Sequence, residues 1–281
     1  MIKKLATLVL QALPDALALH LLFFYKLGRF GNFAKPRTLN EKINWRKLYQ
    51  RDPRFSVFAD KLAVKDEIAK LIGPQHVIPT LWSGDRGKDI PFDQLKPPYV
   101  IKTNHGCNDS IFVKDAQTLD RKAVIEAINK SNAAVFGLLR REWLYWHIKP
   151  KILIETMLTD EKGAPPKDYK FFVYHGYVHF VQVDEDRFGA HRRAFFDHNW
   201  NKLPFTMNYP LLEEDVEKPA SYELMVELAT RIGSLFDFAR VDFYAPAQGV
   251  FFGEVTFYPA SGIGRFHPDL WDEVLGKPWV I

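Results

Sequence analysis

Apolar and polar positions along the chain follow two different periods, one helical and one of strand type. The first fifty residues read as helical. The run LATLVLQAL is interrupted by Pro14 and Asp15, LALHLLFFYKLGRF continues as a cationic amphipathic stretch, and Thr38-Leu39-Asn40-Glu41 opens NEKINWRKLYQ. In that segment Ile43, Trp45 and Leu48 are expected to pack inward. Asp52-Pro53 ends it. FSVFADKLAVKDEIAKLIG then reads as one helix, with Phe58, Leu62, Ile68 and Leu71 at roughly helical spacing and Gly73-Pro74 as its stop. HVIPTLW reads as a short strand, and beyond the Pro-rich PFDQLKPP the period falls to two. YVIKT, the loop NHGCNDS and IFVKD make one hairpin candidate, and DYKFFVY, His175-Gly176 and YVHFVQV make a second. Between them Asp120–Trp146 reads as helix and KILIETML as a buried strand, while SYELMVELATRIGSLF reads as a helix leading into a last hairpin, ARVDFY and VFFGEVTF. Hairpins and helices in this order, without an internal repeat, specify an α+β protein rather than a doubly wound parallel sheet.

The last hairpin carries the most chemistry. Strand alternation sends Arg240, Asp242, Phe252, Glu254 and Thr256 to one face. If Tyr244 pairs with Val250, then Arg240 lies opposite Glu254, Asp242 lies opposite Phe252, and the two carboxylates are diagonal neighbours about 7–8 Å apart at the backbone. Two carboxylates with a Thr256 hydroxyl suit a hard cation such as Mg²⁺ when phosphate oxygens complete the shell, and Arg240 would offset phosphate charge. A salt-bridged face open to water is the competing explanation. The turn YPASG just past the carboxylate, and a second cluster upstream, weigh against it. There Lys102 ends the apolar strand YVIK, a costly place for an ammonium unless an anion meets it. The loop Thr103–Ser110 follows, with Gly106, Asn108 and Ser110 able to present backbone N–H groups to phosphates. Cys107 lies in the same loop without an evident partnering base and reads as a small loop residue rather than a nucleophile. Lys61 and Lys65 sit in a helical stretch, where lysines are normally solvated.

Composition narrows the classes. At 281 residues with 47% hydrophobic content the chain has ample material for a core, as one domain or two intimate lobes. A net charge of +4 is too small to argue for a nucleic-acid partner. The single cysteine excludes an internal disulfide framework and fits a reducing compartment, so a cytoplasmic location is expected. No apolar run reaches the roughly 20 residues of a spanning helix. The N-terminal pattern favours helices packed on the domain, with peripheral contact to a membrane surface, over a cleaved signal peptide.

The segments TLNEKINWRKLY, ADKLAVK, YVIKTNHGCNDS, ILIETML, DYKFFVYHG, VDEDRFGAHRRAFFD, ARVDFY and GEVTFYPASG, in this order, resemble the ATP-grasp superfamily. The closer likeness is to its TupA-type branch, linked to teichuronopeptide and other cell-surface polysaccharide synthesis. The resemblance implies an ATP-grasp fold, two α+β lobes clasping ATP, with residues 1–50 as an N-terminal helical segment and 51–281 as the ATP-grasp domain. Within that domain about 99–158 would cover the nucleotide and 159–281 would bind metal. It further implies a carboxylate–amine ligase using ATP and Mg²⁺ on a small-molecule or glycan carboxylate and an amine acceptor. Lys61 and Lys102 would contact ATP phosphates under the Gly106 loop, and Glu155, Thr156, Met157 and Leu158 would form the adenine hinge. Asp168 would meet the ribose, with Lys170 a further nucleotide-pocket residue. Arg240 would steady the transferring phosphoryl group, and Asp242 and Glu254 would hold magnesium. Relatives commonly carry Asn where Thr256 stands, and the helical N-terminus replaces the usual Rossmann-like domain.

The charged run Asp184–Arg193 could bind an anionic acceptor or reach the ATP phosphates through Arg187, His191 and Arg192, with a solvated loop as the bland alternative. Two rivals stand beside the ligase. Asp184-Glu185-Asp186 has the Asp-x-Asp spacing of many glycosyltransferases, although no parallel-strand nucleotide fold precedes it. Trp143, Tyr145 and Trp146 could form a carbohydrate-binding platform, although aromatics at that spacing are more often core.

Overall fold

The computed structural model describes residues 10–161, 163–185 and 191–281. Helix α1 (Asp15–Leu27) ends at Gly28, whose φ of 73° gives the left-handed cap. Helix α2 (Leu39–Tyr49) begins with a capping box: the Thr38 hydroxyl accepts from the Glu41 amide and the Glu41 carboxylate accepts from the Thr38 amide. The long helix expected after Pro53 is two, α3 (Arg54–Ala59) and α4 (Val64–Ile72), because the Asp60 carboxylate accepts from the amides of Leu62 and Ala63 and turns the chain there. The strand expected in HVIPTLW begins only at Thr80 (β1, Thr80–Gly84), and the helix expected over Asp120–Trp146 ends at Asn132 (α5, Arg121–Asn132).

Two antiparallel sheets follow. The first has the order β1-β4-β2-β3, with β2 Tyr99–Thr103, β3 Ile111–Val113 and β4 Ile152–Thr156. It is backed by α5 through Ile101, Val113, Ile128, Ile152 and Ile154. The second has the order β10-β9-β5-β6-β7, with β5 Asp168–Tyr174, β6 Tyr177–Glu185, β7 Arg192–Asp197, β9 Phe238–Tyr244 and β10 Phe251–Thr256. Both hairpins read from the period of two are present, and β8 (Thr206–Met207) and β11 (Phe266–His267) form a minor ribbon. The main core joins this second sheet to α3, α4 and α6 (Tyr222–Gly233). The mixed, largely antiparallel architecture is the α+β class expected from sequence.

Helix α2 packs as its apolar residues imply at Ile43, which is 1% exposed in the main core, but not over the rest of that stripe. Trp45 and Leu48 are only half-buried, whereas Asn40, Asn44, Arg46 and Lys47 are at most 2% exposed. Their partners are backbone groups at the C-terminal end of the chain. The Asn40 amide side chain donates to the Gly264 carbonyl and accepts from the Gly264 N–H, Asn44 donates to the Gly262 carbonyl at 2.7 Å, and the Lys47 ammonium donates to the carbonyl and hydroxyl of Ser261. These bonds hold a turn in which Ala260, Ser261 and Gly262 all have positive φ (46°, 55° and 61°), a conformation that costs an L-residue roughly 1–2 kcal/mol. Arg46 donates to Asp237 at 2.5 Å and to the Phe238 carbonyl, and its guanidinium lies 4.3 Å from the Trp279 ring. The segment after the Pro259–Gly262 turn runs into α7 (Leu270–Gly276), where Asp272 accepts from the Asn40 amide. Asn44→Ala leaves the Gly262 carbonyl buried without its donor, and should lower the urea-unfolding free energy by about 1–3 kcal/mol. An unchanged midpoint would show that the turn holds itself.

Candidate functional site

Strands β9 and β10 bring the acidic residues together through a defect in their pairing. Phe251 pairs with Tyr244 and Phe252 with Phe243, but Glu254, not Gly253, then pairs with Asp242. Gly253 is the extra residue of a β-bulge, and a Cβ there would come within 3.1 Å of the Asp242 carbonyl. The pairing of Tyr244 with Val250 expected from strict alternation is therefore incorrect. The bulge leaves Phe252 on the apolar face beside Phe243 and puts Glu254 directly opposite Asp242 instead of diagonal to it.

Arg240 binds this group. Its Nε donates to Asp242 Oδ1 at 2.8 Å, and its Nη2 reaches Asp242 Oδ2 (2.7 Å), Glu254 Oε1 (3.0 Å) and Thr256 Oγ1 (2.9 Å). Three oxygens from two strands thus converge on one cationic nitrogen. Burial pushes the Asp242 carboxyl above its ordinary range, against the pull of Arg240 and Lys170. Asp242 is buried, while the Glu254 side chain is 39% exposed and opens the group to solvent.

On the next strand Lys170 pairs with Asp242 across the sheet, ion-pairs with Asp168, and lies 3.4 Å from Asp184 and 3.5 Å from Asp242. Asp184 also accepts from Arg193 Nε at 2.5 Å and from Gln182, and His191 Nε2 is 3.2 Å away. Burial would raise the Asp184 carboxyl, but Lys170 and Arg193 outweigh it and hold it well below the usual range. Asp168 is 2% exposed and engaged with Lys170, so its carboxylate points into the sheet face instead of standing at a rim. His191 packs on Tyr209 with ring centroids 3.8 Å apart, and Arg192 is 3.7 Å from Glu214. Arg187 and Asp186 lie outside the described residues.

The first sheet supplies the cations. Glu155 on β4 is 4% exposed and accepts from two ammonium groups, Lys102 on β2 and Lys65 on α4, the latter at 2.5 Å. Lys65 also donates to the Ile78 carbonyl. Lys61 joins the halves: its ammonium donates to the Gly106 carbonyl and stands 3.9 Å from Glu254 Oε2. The Thr103–Ser110 loop is braced by its own side chains, since Asp109 accepts from the Thr103 amide and hydroxyl and the Gly106 amide donates to the Thr103 hydroxyl at 2.9 Å. Asn104 pins it to the start of β4 through Lys149 and Lys151. Gly106 is required because a Cβ would lie 2.3 Å from that hydroxyl. Its amide is committed inside the loop, and Cys107, Asn108 and Ser110 are the exposed members. In the segment expected to serve as the hinge the amides of Thr156 and Met157 donate to the Pro79 and Pro98 carbonyls.

Residues 41–280 match the profile of the family described as TupA-like ATPgrasp. The chain belongs to the TupA-like ATP-grasp family. No curated protein matches it. Similar solved structures include D-alanine–D-alanine ligase from Bacillus anthracis complexed with ATP (15% identity, 72% of this chain and 54% of that chain, TM-score 0.43). The ATP-grasp ligase PsnB complexed with minimal precursor is similar at 14% identity, 80% of this chain and 59% of that chain, TM-score 0.44. The L-amino acid ligase from Bacillus licheniformis follows at 16% identity, 71% and 44%, TM-score 0.38. This TupA-like chain spans between 44% and 59% of those three chains.

The donor set of this family member fits a hard cation in kind, two carboxylates and a hydroxyl already converging on a positive nitrogen. Of the residues behind the rival readings, Asp184 and Trp143 are otherwise engaged, whereas Trp146 is 39% exposed. Asp184 is saturated by Arg193, Gln182 and Lys170, and Trp143 is core, packed near Phe55. Lys65 was the least expected participant, since helical spacing alone places it in water, and Arg193 and Gln182 carried no signal beyond strand alternation.

The Glu155 carboxyl is pushed up by burial but held below its ordinary value by Lys102 and Lys65. Its ion pairs therefore stabilise fully above the unfolded value of about 4.3, and that stabilisation is lost as pH falls through the lower folded value. Urea-unfolding free energy should drop more steeply below pH ~4.3 in the parent chain than in Glu155→Gln. Parallel pH profiles would mean that Glu155 is not an ionised partner of the two lysines.

Proposed function

We propose that the chain is an Mg-ATP-dependent carboxylate–amine ligase acting in cell-surface polysaccharide or peptide-glycan modification on the cytoplasmic side. The observation that carries this reading is the convergence of Asp242, Glu254 and Thr256 beside Lys61, which ties the same point to the Gly106 loop. In this reading the strands around 99–158 cover the nucleotide, 159–281 bind metal, and 1–50 form a helical extension.

Carboxylates are poor electrophiles, so amide formation requires activation. The γ-phosphoryl group passes to the carboxylate with loss of ADP, and the amine then displaces phosphate from the acyl phosphate. Lys61 and Lys102 bind the phosphates, and Lys65 keeps Glu155 paired when Lys102 turns to the nucleotide. Residues Glu155 to Leu158 border the adenine, with Asp168 and Lys170 on the adjoining sheet face. Mg²⁺ held by Asp242, Glu254 and Thr256 would neutralise phosphate charge. Arg240 steadies the transferring group, and Arg187 and His191 are assigned to the acceptor. Positioning and charge neutralisation carry the rate in such a scheme, with no protein nucleophile.

ADP release measured against a panel of uronic acids and amino acids, with mass spectrometry of the product, tests the claim. An amide mass is expected; a phosphate monoester would overturn the ligation step. Asp242→Asn and Glu254→Gln should each reduce turnover by about 10²-fold or more, and Glu254→Gln, at a half-exposed position, should leave the unfolding midpoint within a few degrees. Thr256→Asn should preserve magnesium dependence and Thr256→Val should weaken it, as read from the magnesium concentration giving half-maximal ADP release. Stabilisation by UDP with Mn²⁺ and not by ATP with Mg²⁺ would favour a glycosyltransferase instead.

A further inference from the structure

Helix α1 is apolar on two faces, and among the described residues only one is covered. Ala18, Leu19 and Phe23 are at most 1% exposed and pack on Phe33, Leu48 and Ile263. Leu17, Leu21, Phe24 and Tyr25 are 47%, 43%, 46% and 78% exposed and fall within an arc of roughly 100° on the helix. Phe30, 64% exposed, extends this stripe by stacking on Phe24 with centroids 4.6 Å apart.

Charge distinguishes what could cover it. Lys26, Arg29, Lys35 and Arg37 follow the stripe, and no carboxylate occurs between Asp15 and Glu41. Arg29 and Arg37 are paired with acids of α2 and α7, but Lys26 and Lys35 form no ion pair among the described residues. The Lys26 ammonium lies 5.6 Å from the Tyr25 ring, placing a cation at the edge of the apolar stripe, and Lys35 lines an open cavity with Arg37 and Trp45. A two-fold contact with a second copy would set these cations near their own equivalents with no acid in the segment to offset them. No helix of the described residues is long and apolar enough to cross a membrane, so the stripe suits an orientation parallel to a surface.

We propose that the face formed by Leu17, Leu21, Phe24, Tyr25 and Phe30 docks on an anionic lipid bilayer, with Lys26 and Lys35 meeting the headgroups. The inference rests on this surface alone and is independent of the reaction assigned above. Aromatic and leucine side chains enter the headgroup–acyl boundary while the ammonium groups stay among lipid phosphates.

Co-sedimentation of the full chain with phosphatidylcholine vesicles containing about one-third phosphatidylglycerol tests it. Binding is expected to these vesicles and to be at least about tenfold weaker to pure phosphatidylcholine. The double variant Leu21→Asp/Phe24→Asp should lose binding, and Lys26→Glu/Lys35→Glu should weaken it about tenfold or more, both with an unchanged unfolding midpoint because the positions are exposed. Absence of sedimentation with anionic vesicles, or binding indifferent to both double variants, would overturn the proposal. So would a dimer in analytical ultracentrifugation that Leu21→Asp/Phe24→Asp dissolves while vesicles fail to bind, which would assign the face to a second copy.

Discussion

The buried carboxylate of Asp242 sets the terms for the larger sheet. An ionised group removed from water is tolerated only when other charges and hydrogen bonds replace its hydration. Arg240 and Lys170 do so from two directions, and each then requires partners of its own. Arg240 recruits Glu254 and Thr256, and Lys170 recruits Asp168 and Asp184. The second acid in turn draws Arg193 and Gln182. A charged network therefore spreads along one face of a sheet whose opposite face, with Phe171, Val181, Val241 and Phe243, is ordinary core. Such a network is poor value as stabilisation alone, which argues that it is kept for what the charges do.

Holding those charges in register depends on the far end of the chain. Beyond Thr256, after Phe257, Tyr258 and Pro259, the backbone enters three consecutive left-handed residues, and it stays there because Asn40, Asn44 and Lys47 meet carbonyls of this segment. Helix α2 therefore works as a polar template as well as burying Leu39 and Ile43 in the core. Residues separated by more than 200 positions form one unit that fixes the exit of the acidic strand.

That unit explains which features were legible in the sequence. The hairpins were, because a period of two survives wherever one face is apolar, and so was the gathering of Arg240, Asp242, Glu254 and Thr256. The register was not: alternation counts residues and cannot see that Gly253 is unpaired, so it placed Phe252 on the wrong face. The inward face of α2 was unreadable for the opposite reason. Ile43, Trp45 and Leu48 announce an apolar stripe, yet the decisive contacts belong to side chains that hydrophobicity assigns to water. Lys65 was missed because its partners, Glu155 and the Ile78 carbonyl, lie outside its own helix, and the Asp60 break because a side-chain bond to the Leu62 and Ala63 amides outweighs the apolar period.

The placement of Arg240 bears on how such a site is kept intact between turnovers. Its Nη2 occupies the focus of three oxygens that would otherwise repel one another in a partly desolvated cleft. Lys61, 3.9 Å from Glu254, adds positive charge at the open edge, while on the first sheet two lysines share one buried glutamate. Glu155 thus has two cations to itself, whereas Asp242 and Glu254 share Arg240 and lean on Lys170 and Lys61 in turn. Cations shared in this way replace the hydration that the buried carboxylates lose, so each ionised acid is held by more than one contact.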